Sequence, residues 1–140
     1  MQVGKTWDRQ VADVLRTTGD ENLAMIGESV RWFVGNGRRV VFDAEHFFDG
    51  YRSDPDYAVR CLDAAVAAGA ERITLCDTNG GTLPDAVDSL VRDITARFGS
   101  IEGIHCHDDA GFAVAHTLAA ARAGAAQVQG SCHGCGERAG

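Results

Sequence analysis

Apolar residues recur along this chain in two alternating rhythms. Leu23, Ile26, Val30 and Phe33 stand at helical spacing, with Gly35 and Gly37 as stop signals, and Asp20 is placed to cap the start. The short apolar run 40–42 follows and ends in Asp43-Ala44-Glu45-His46, which reads as a strand running into a loop. Asp54-Pro55 opens the next helix, with Pro55 at the tolerated first-turn position. Its inward positions are Ala58, Cys61, Leu62, Ala65 and Val66, and Gly69 closes it. A strand over 73–76 ends in Asp77-Thr78-Asn79-Gly80-Gly81. A third helix begins at Thr82-Leu83-Pro84-Asp85 and carries Val87, Leu90, Val91 and Ile94 inward. A strand over 101–107, a helix over 113–123 and a strand over 126–130 complete the pattern. Residues 2–8 are too few to form a unit and read as the tail of a strand entering a loop.

Strand and helix therefore alternate, which predicts parallel βαβ units and an α/β fold. The stretch Ala64-Ala65-Val66-Ala67-Ala68-Gly69-Ala70 is echoed by Ala119-Ala120-Ala121-Arg122-Ala123-Gly124-Ala125, which aligns Ile73 with Val128. The offset spans two βα units, as in a repeating barrel, although alanine-rich helices also look alike simply because alanine favours the helix.

The polar residues are more telling than the apolar ones. Glu45, Asp77 with Thr78, His105 with His107, and the loop 132–138 all fall just past strand C-termini. That rim carries the active site of a TIM barrel. It is also the ligand side of an open doubly wound sheet. Neither nucleotide-binding glycine pattern occurs, which weighs against the open sheet. Gly103-Ile104-His105-Cys106-His107-Asp108-Asp109-Ala110-Gly111 holds two histidines at i and i+2. On a strand these project to one face, about 7 Å apart at a rise of about 3.3 Å per residue, which suits two ligands of one divalent ion. Two ordinary strand-end histidines are the alternative. His46 and His116 read as structural, the latter as a packed or surface residue of a helix.

The 140 residues suffice for one core. The formal net charge of −7, with no basic cluster, argues against nucleic acid as a partner. No apolar run is long enough to predict a membrane span, and no signal peptide is visible. Five scattered cysteines fit a reducing cytoplasm better than a disulfide framework.

The runs Phe42-Asp43-Ala44-Glu45-His46-Phe47-Phe48-Asp49-Gly50-Tyr51 and Leu75-Cys76-Asp77-Thr78-Asn79-Gly80-Gly81-Thr82-Leu83-Pro84 resemble the citramalate synthases. So does the pairing of the His-x-His strand with Gln127-Val128-Gln129-Gly130 and Gly136-Glu137-Arg138. The wider family is that of metal-dependent Claisen-type enzymes, including isopropylmalate synthase, homocitrate synthase and hydroxymethylglutaryl-CoA lyase. The resemblance runs from Gly4 to Gly140 and implies one partial (β/α)₈ TIM barrel domain over 1–140, from roughly the end of strand 3 through strand 7. It implies an acyltransferase that condenses acetyl-CoA with pyruvate to citramalate and CoA, for isoleucine biosynthesis, as a homodimer when intact. It places His105 and His107 on a divalent metal, Mg²⁺, Mn²⁺ or Zn²⁺. Thr78 would hydrogen-bond the ketoacid carboxylate, and Glu45 would line the pocket near the reacting end. Glu137 and Arg138 would lie on a glycine-rich loop closing over the site. An ordinary cap at Thr78 and a surface ion pair at Glu45 are the plain alternatives.

The chain departs from the family pattern at His133-Gly134-Cys135 and at His107-Asp108-Asp109, where relatives carry Asn-Gly-Tyr and His-Asn-Asp. The family's first-strand Asp-Arg-Glu motif does not occur here, and a further asparagine ligand would follow Gly140. A full barrel takes about 250 residues. The expectation is a partial gene product, truncated at both ends, with little or no synthase activity alone. Within the family, an isopropylmalate- or homocitrate-type synthase or a lyase is the alternative. Outside it stand a zinc or redox module through Cys132 and Cys135, and a half-barrel that dimerises through open strand edges.

Overall fold

A computed structural model describes residues 3–99, 102–131 and 136. The elements run α1 (Asp8–Gln10), a π-helical turn (Val11–Leu15), α2 (Gly19–Gly35), β1 (Val41–Ala44), α3 (Phe47–Ser53), α4 (Pro55–Ala67), β2 (Arg72–Asp77), α5 (Pro84–Phe98), β3 (Glu102–Cys106), α6 (Ala113–Ala123) and β4 (Gln127–Gln129). The strands form one sheet in the order β1-β2-β3-β4. This is the α/β alternation the apolar pattern predicts. The chain resolves into two compact units, residues 1–73 and 74–140.

In the first unit, α2 packs on α4. Ile26 and Val30 of α2, and Ala58, Cys61, Leu62 and Ala65 of α4, are buried as their spacing predicts. Phe33 is not: it is exposed, as is its neighbour Trp32, and the two rings meet edge to face. The N-cap of α2 is Thr18 rather than Asp20. Thr18 Oγ1 accepts from Glu21 N at 3.2 Å, and Thr17 Oγ1 donates to the Glu21 carboxylate at 2.5 Å. Threonine three residues ahead of glutamate is the capping-box spacing, and Asp20 falls into the first turn, where its charge still suits the helix dipole. Asp54 caps α4 as expected, accepting from Tyr57 N at 3.0 Å.

Residues 3–7, expected as a strand tail, form no strand. The side chain of Asn22 takes the place of a strand partner: Lys5 N donates to Asn22 Oδ1 at 2.9 Å, and Asn22 Nδ2 donates to Lys5 O at 2.9 Å. The same Nδ2 lies 2.7 Å from Tyr57 Oη. Gly50 lets this segment lie against α3, since a Cβ there would stand 2.1 Å from Thr6 O.

In the second unit α5 packs against α6, and Val87, Leu90, Val91 and Ile94 face inward as predicted. β3 and β4 pair in parallel with Gly103 opposite Gln127, Ile104 opposite Val128 and His105 opposite Gln129. The internal echo is a repeated helix stop. Gly69 N bonds Val66 O and Ala70 N bonds Ala65 O; Gly124 N bonds Ala121 O and Ala125 N bonds Ala120 O. Both glycines adopt positive φ, +102° and +116°. This is the Schellman pattern, in which a left-handed residue turns the chain out of the helix. The aligned positions diverge in the sheet: Ile73 is buried, whereas Val128, on an edge strand, is 55% exposed.

Candidate metal and substrate site

β3 ends at Cys106, so His105 is its penultimate residue and His107 the first beyond it. Their rings lie 5.1 Å apart, centroid to centroid, tilted by 48°. A cation about 2.1 Å from one nitrogen of each ring would sit about 3.3 Å from each centroid, and at a bond angle near 100° this separates the centroids by about 5 Å. The ring separation is therefore one that two ligands of one ion can take. Among the described residues, no group of three or more His, Cys, Asp and Glu is gathered tightly enough to hold a metal alone. His107 is held through its backbone, where His107 N donates to Asp77 O at 3.3 Å. Gly80, at φ +63°, brings the 77–81 turn against the same segment: a Cβ there would lie 2.8 Å from His107 O and 2.9 Å from Asp109 N.

Asp77 closes β2 and is 1% exposed. Thr82 Oγ1 donates to Asp77 Oδ1 at 2.9 Å, and Thr82 N donates to Oδ2 at 3.3 Å. Thr82, read as part of a helix start, instead fastens the turn ahead of α5. His116, fully buried, places Nδ1 3.4 Å from Asp77 Oδ2, at ion-pair range rather than in a hydrogen bond. Its structural reading is the packed one. Thr78 follows Asp77 in the turn and is half-buried. Burial and the nearby Asp77 carboxylate push the Cys106 thiol up to about 12, so it stays protonated beside the histidines.

Glu45 follows β1 in the first unit, and its carboxylate is ion-paired with Lys5. Thr6 Oγ1 donates to Glu45 O at 2.5 Å. The residues 3–7 segment thus engages both the side chain and the backbone of Glu45. Sequence reasoning missed Lys5 because the contact spans 40 positions and carries no local pattern. His46 enters α3 at φ +58°, with Nδ1 3.2 Å from Asp49 Oδ2, in keeping with a structural role. Cys132, His133, Cys135, Glu137 and Arg138 lie outside the described residues, as do the loop roles assigned to them.

Residues 2–140 match the HMGL-like family, and the chain belongs to it. It is 50% identical over 138 residues to the (R)-citramalate synthase of Aquifex aeolicus (strain VF5), covering 98% of this chain and 26% of that protein. It is 51% identical to the (R)-citramalate synthase of Streptomyces coelicolor, covering 99% of this chain and 26% of that protein. The chain thus spans about a quarter of the length of the curated relatives it matches. The crystal structure of the Bacillus subtilis HMG-CoA lyase superposes with a TM-score of 0.81 at 20% identity, covering 97% of this chain and 47% of that one. That likeness supports the partial-barrel reading of the four-stranded sheet.

Proposed function

We propose that this chain is a segment of the catalytic barrel of a citramalate-forming acyltransferase, which joins the acetyl methyl of acetyl-CoA to C2 of pyruvate and releases CoA. What carries the reading is the His105–His107 pair at the end of β3, in a chain that aligns almost end to end with (R)-citramalate synthases at about half identity. His105 and His107 are assigned as two ligands of a divalent cation, Mg²⁺, Mn²⁺ or Zn²⁺. Such an ion supplies a Lewis acid for a keto oxygen, worth several kcal/mol of charge stabilisation. Thr78 is assigned to hydrogen-bond the ketoacid carboxylate. Glu45 is assigned to the reacting end of the ketoacid, with Lys5 holding its carboxylate in place. Glu137 and Arg138 are assigned to a loop that closes over the substrates. The proposal extends to a homodimeric, cytoplasmic enzyme of isoleucine biosynthesis.

The test replaces the matching segment of the Aquifex aeolicus relative with residues 3–140 and measures CoA release with pyruvate, 2-oxoisovalerate or 2-oxoglutarate. The reading predicts pyruvate-dependent CoA release that His105→Ala/His107→Ala abolishes. Preference for either longer ketoacid would overturn the citramalate assignment in favour of an isopropylmalate or homocitrate type. Activity indifferent to the double substitution would overturn the metal assignment.

A further inference from the structure

We propose that Gln129 is a positioning residue for His105, fixing which ring nitrogen that histidine offers. The proposal rests on the reading that His105 and His107 hold a divalent cation. The parallel register sets Gln129 directly beside His105, and paired residues of neighbouring parallel strands share a face. Gln129 Oε1 lies 3.0 Å from His105 Nδ1, while Gln129 Nε2 donates to Thr74 Oγ1 at 3.1 Å. Thr74 is fully buried on β2, two strands away from β4, a backbone separation of roughly 9.6 Å. The glutamine side chain therefore crosses over β3 to reach its anchor.

Gly103 leaves room beside that crossing. A Cβ at this position would lie 3.2 Å from Thr74 Oγ1 and 3.2 Å from Gln127 Cβ, closing the space beside the anchor. The Gly103-x-His105 spacing at the head of the histidine strand thus keeps the space beside the bridge open: a side chain on the same face, one pleat earlier, would press on the Thr74 anchor.

The consequence is a defined tautomer. A carboxamide oxygen only accepts hydrogen bonds, so the His105 nitrogen facing Gln129 Oε1 carries the proton. The lone pair of the neutral ring is then on Nε2. In water a neutral histidine side chain favours the opposite, Nε2–H form, which cannot bind a metal through Nε2. The Thr74–Gln129 bridge reverses that default and holds the ring against rotation. A partner of this kind behind a metal-binding histidine typically changes affinity 10–100-fold.

The experiment uses the full chain labelled with ¹⁵N-histidine. Long-range ¹H–¹⁵N correlations are recorded without metal at about pH 8, above the ordinary histidine range, and Mn²⁺ affinity is measured on the same substitutions carried in the Aquifex aeolicus chimera. Gln129→Met removes the acceptor but keeps an unbranched side chain; Gln129→Glu keeps the acceptor; Thr74→Val cuts the anchor and leaves Gln129 in place. The proposal predicts Nδ1–H at His105 in the unsubstituted chain and in Gln129→Glu. It predicts Nε2–H and a loss of Mn²⁺ affinity of about 10–100-fold in Gln129→Met, with Thr74→Val moving both readouts the same way. An Nδ1–H ring retained in both Gln129→Met and Thr74→Val overturns the positioning role, as does an equal affinity loss in Gln129→Glu and Gln129→Met. Mn²⁺ affinity unchanged by His105→Ala/His107→Ala overturns the cation reading alone and leaves the tautomer result standing.

Discussion

Replacing Asn22 by alanine should unfasten residues 3–7, and the size of the effect follows from its bonds. The side chain is fully buried and makes three close hydrogen bonds, at 2.9 Å to each of the Lys5 backbone groups and at 2.7 Å to Tyr57 Oη. At about 1 kcal/mol each, with more for any buried group left unpaired, the gross loss is about 3–5 kcal/mol. Two corrections reduce it. Lys5 is half-buried, so water can replace part of what Asn22 gave its backbone. Tyr57 Oη keeps a long bond of 3.4 Å to Gly19 O. The net expectation is about 2–4 kcal/mol. Urea unfolding at neutral pH measures it, and hydrogen exchange at the Lys5 amide locates it, since that N–H loses its acceptor. Asn22→Asp should keep the Lys5 amide protected, because it retains the acceptor, while losing both donated bonds. A destabilisation below about 0.5 kcal/mol in Asn22→Ala, with the Lys5 amide still protected, would refute the claim that this side chain stands in for a strand.

Gly80→Ala should destabilise the second unit by about 1–3 kcal/mol, because the residue holds φ +63° and its new Cβ would press on His107 O and Asp109 N; the His107 ring signals should shift with it, and a neutral substitution would contradict the packing described. Burial raises the Cys61 thiol from 9.0 to about 12. Its stabilising contribution is therefore complete below the unfolded value near 9 and is lost as pH rises toward 12, because the unfolded chain gives up the proton first. Unfolding measured from pH 8 to 11 should show Cys61→Ala declining less steeply than the unsubstituted chain, by up to about 1.4 kcal/mol per pH unit. Parallel curves would refute the shift.

The features legible in the sequence are those whose cause is local. Helical spacing marks the buried faces of α4 and α5, Asp54-Pro55 marks a helix start, and the Ala-Gly-Ala echo marks two identical helix stops. His105 and His107 share a face because strand geometry alone requires it. The features missed are those decided by residues distant in sequence. Asn22 reads as an ordinary first-turn residue until Lys5 lies beside it. Glu45 reads as a pocket carboxylate or one half of a surface ion pair, and only the fold names Lys5 as its partner. His116 stands at an unremarkable helical position, and only the packing of α6 brings it to Asp77. Gln129 stood within a recognised motif without a role, because its contacts at Thr74 and His105 depend on strand register. Phe33 shows the converse failure: its spacing is right, but at the end of α2 it remains exposed.

Calorimetric titration with Mn²⁺ shows whether His105 and His107 act together as ligands of one cation. Saturable binding is expected of the Aquifex aeolicus relative carrying residues 3–140, and none of the same chimera with His105→Ala/His107→Ala. Equal heats from the two chimeras, whether large or nil, would contradict that shared ligation.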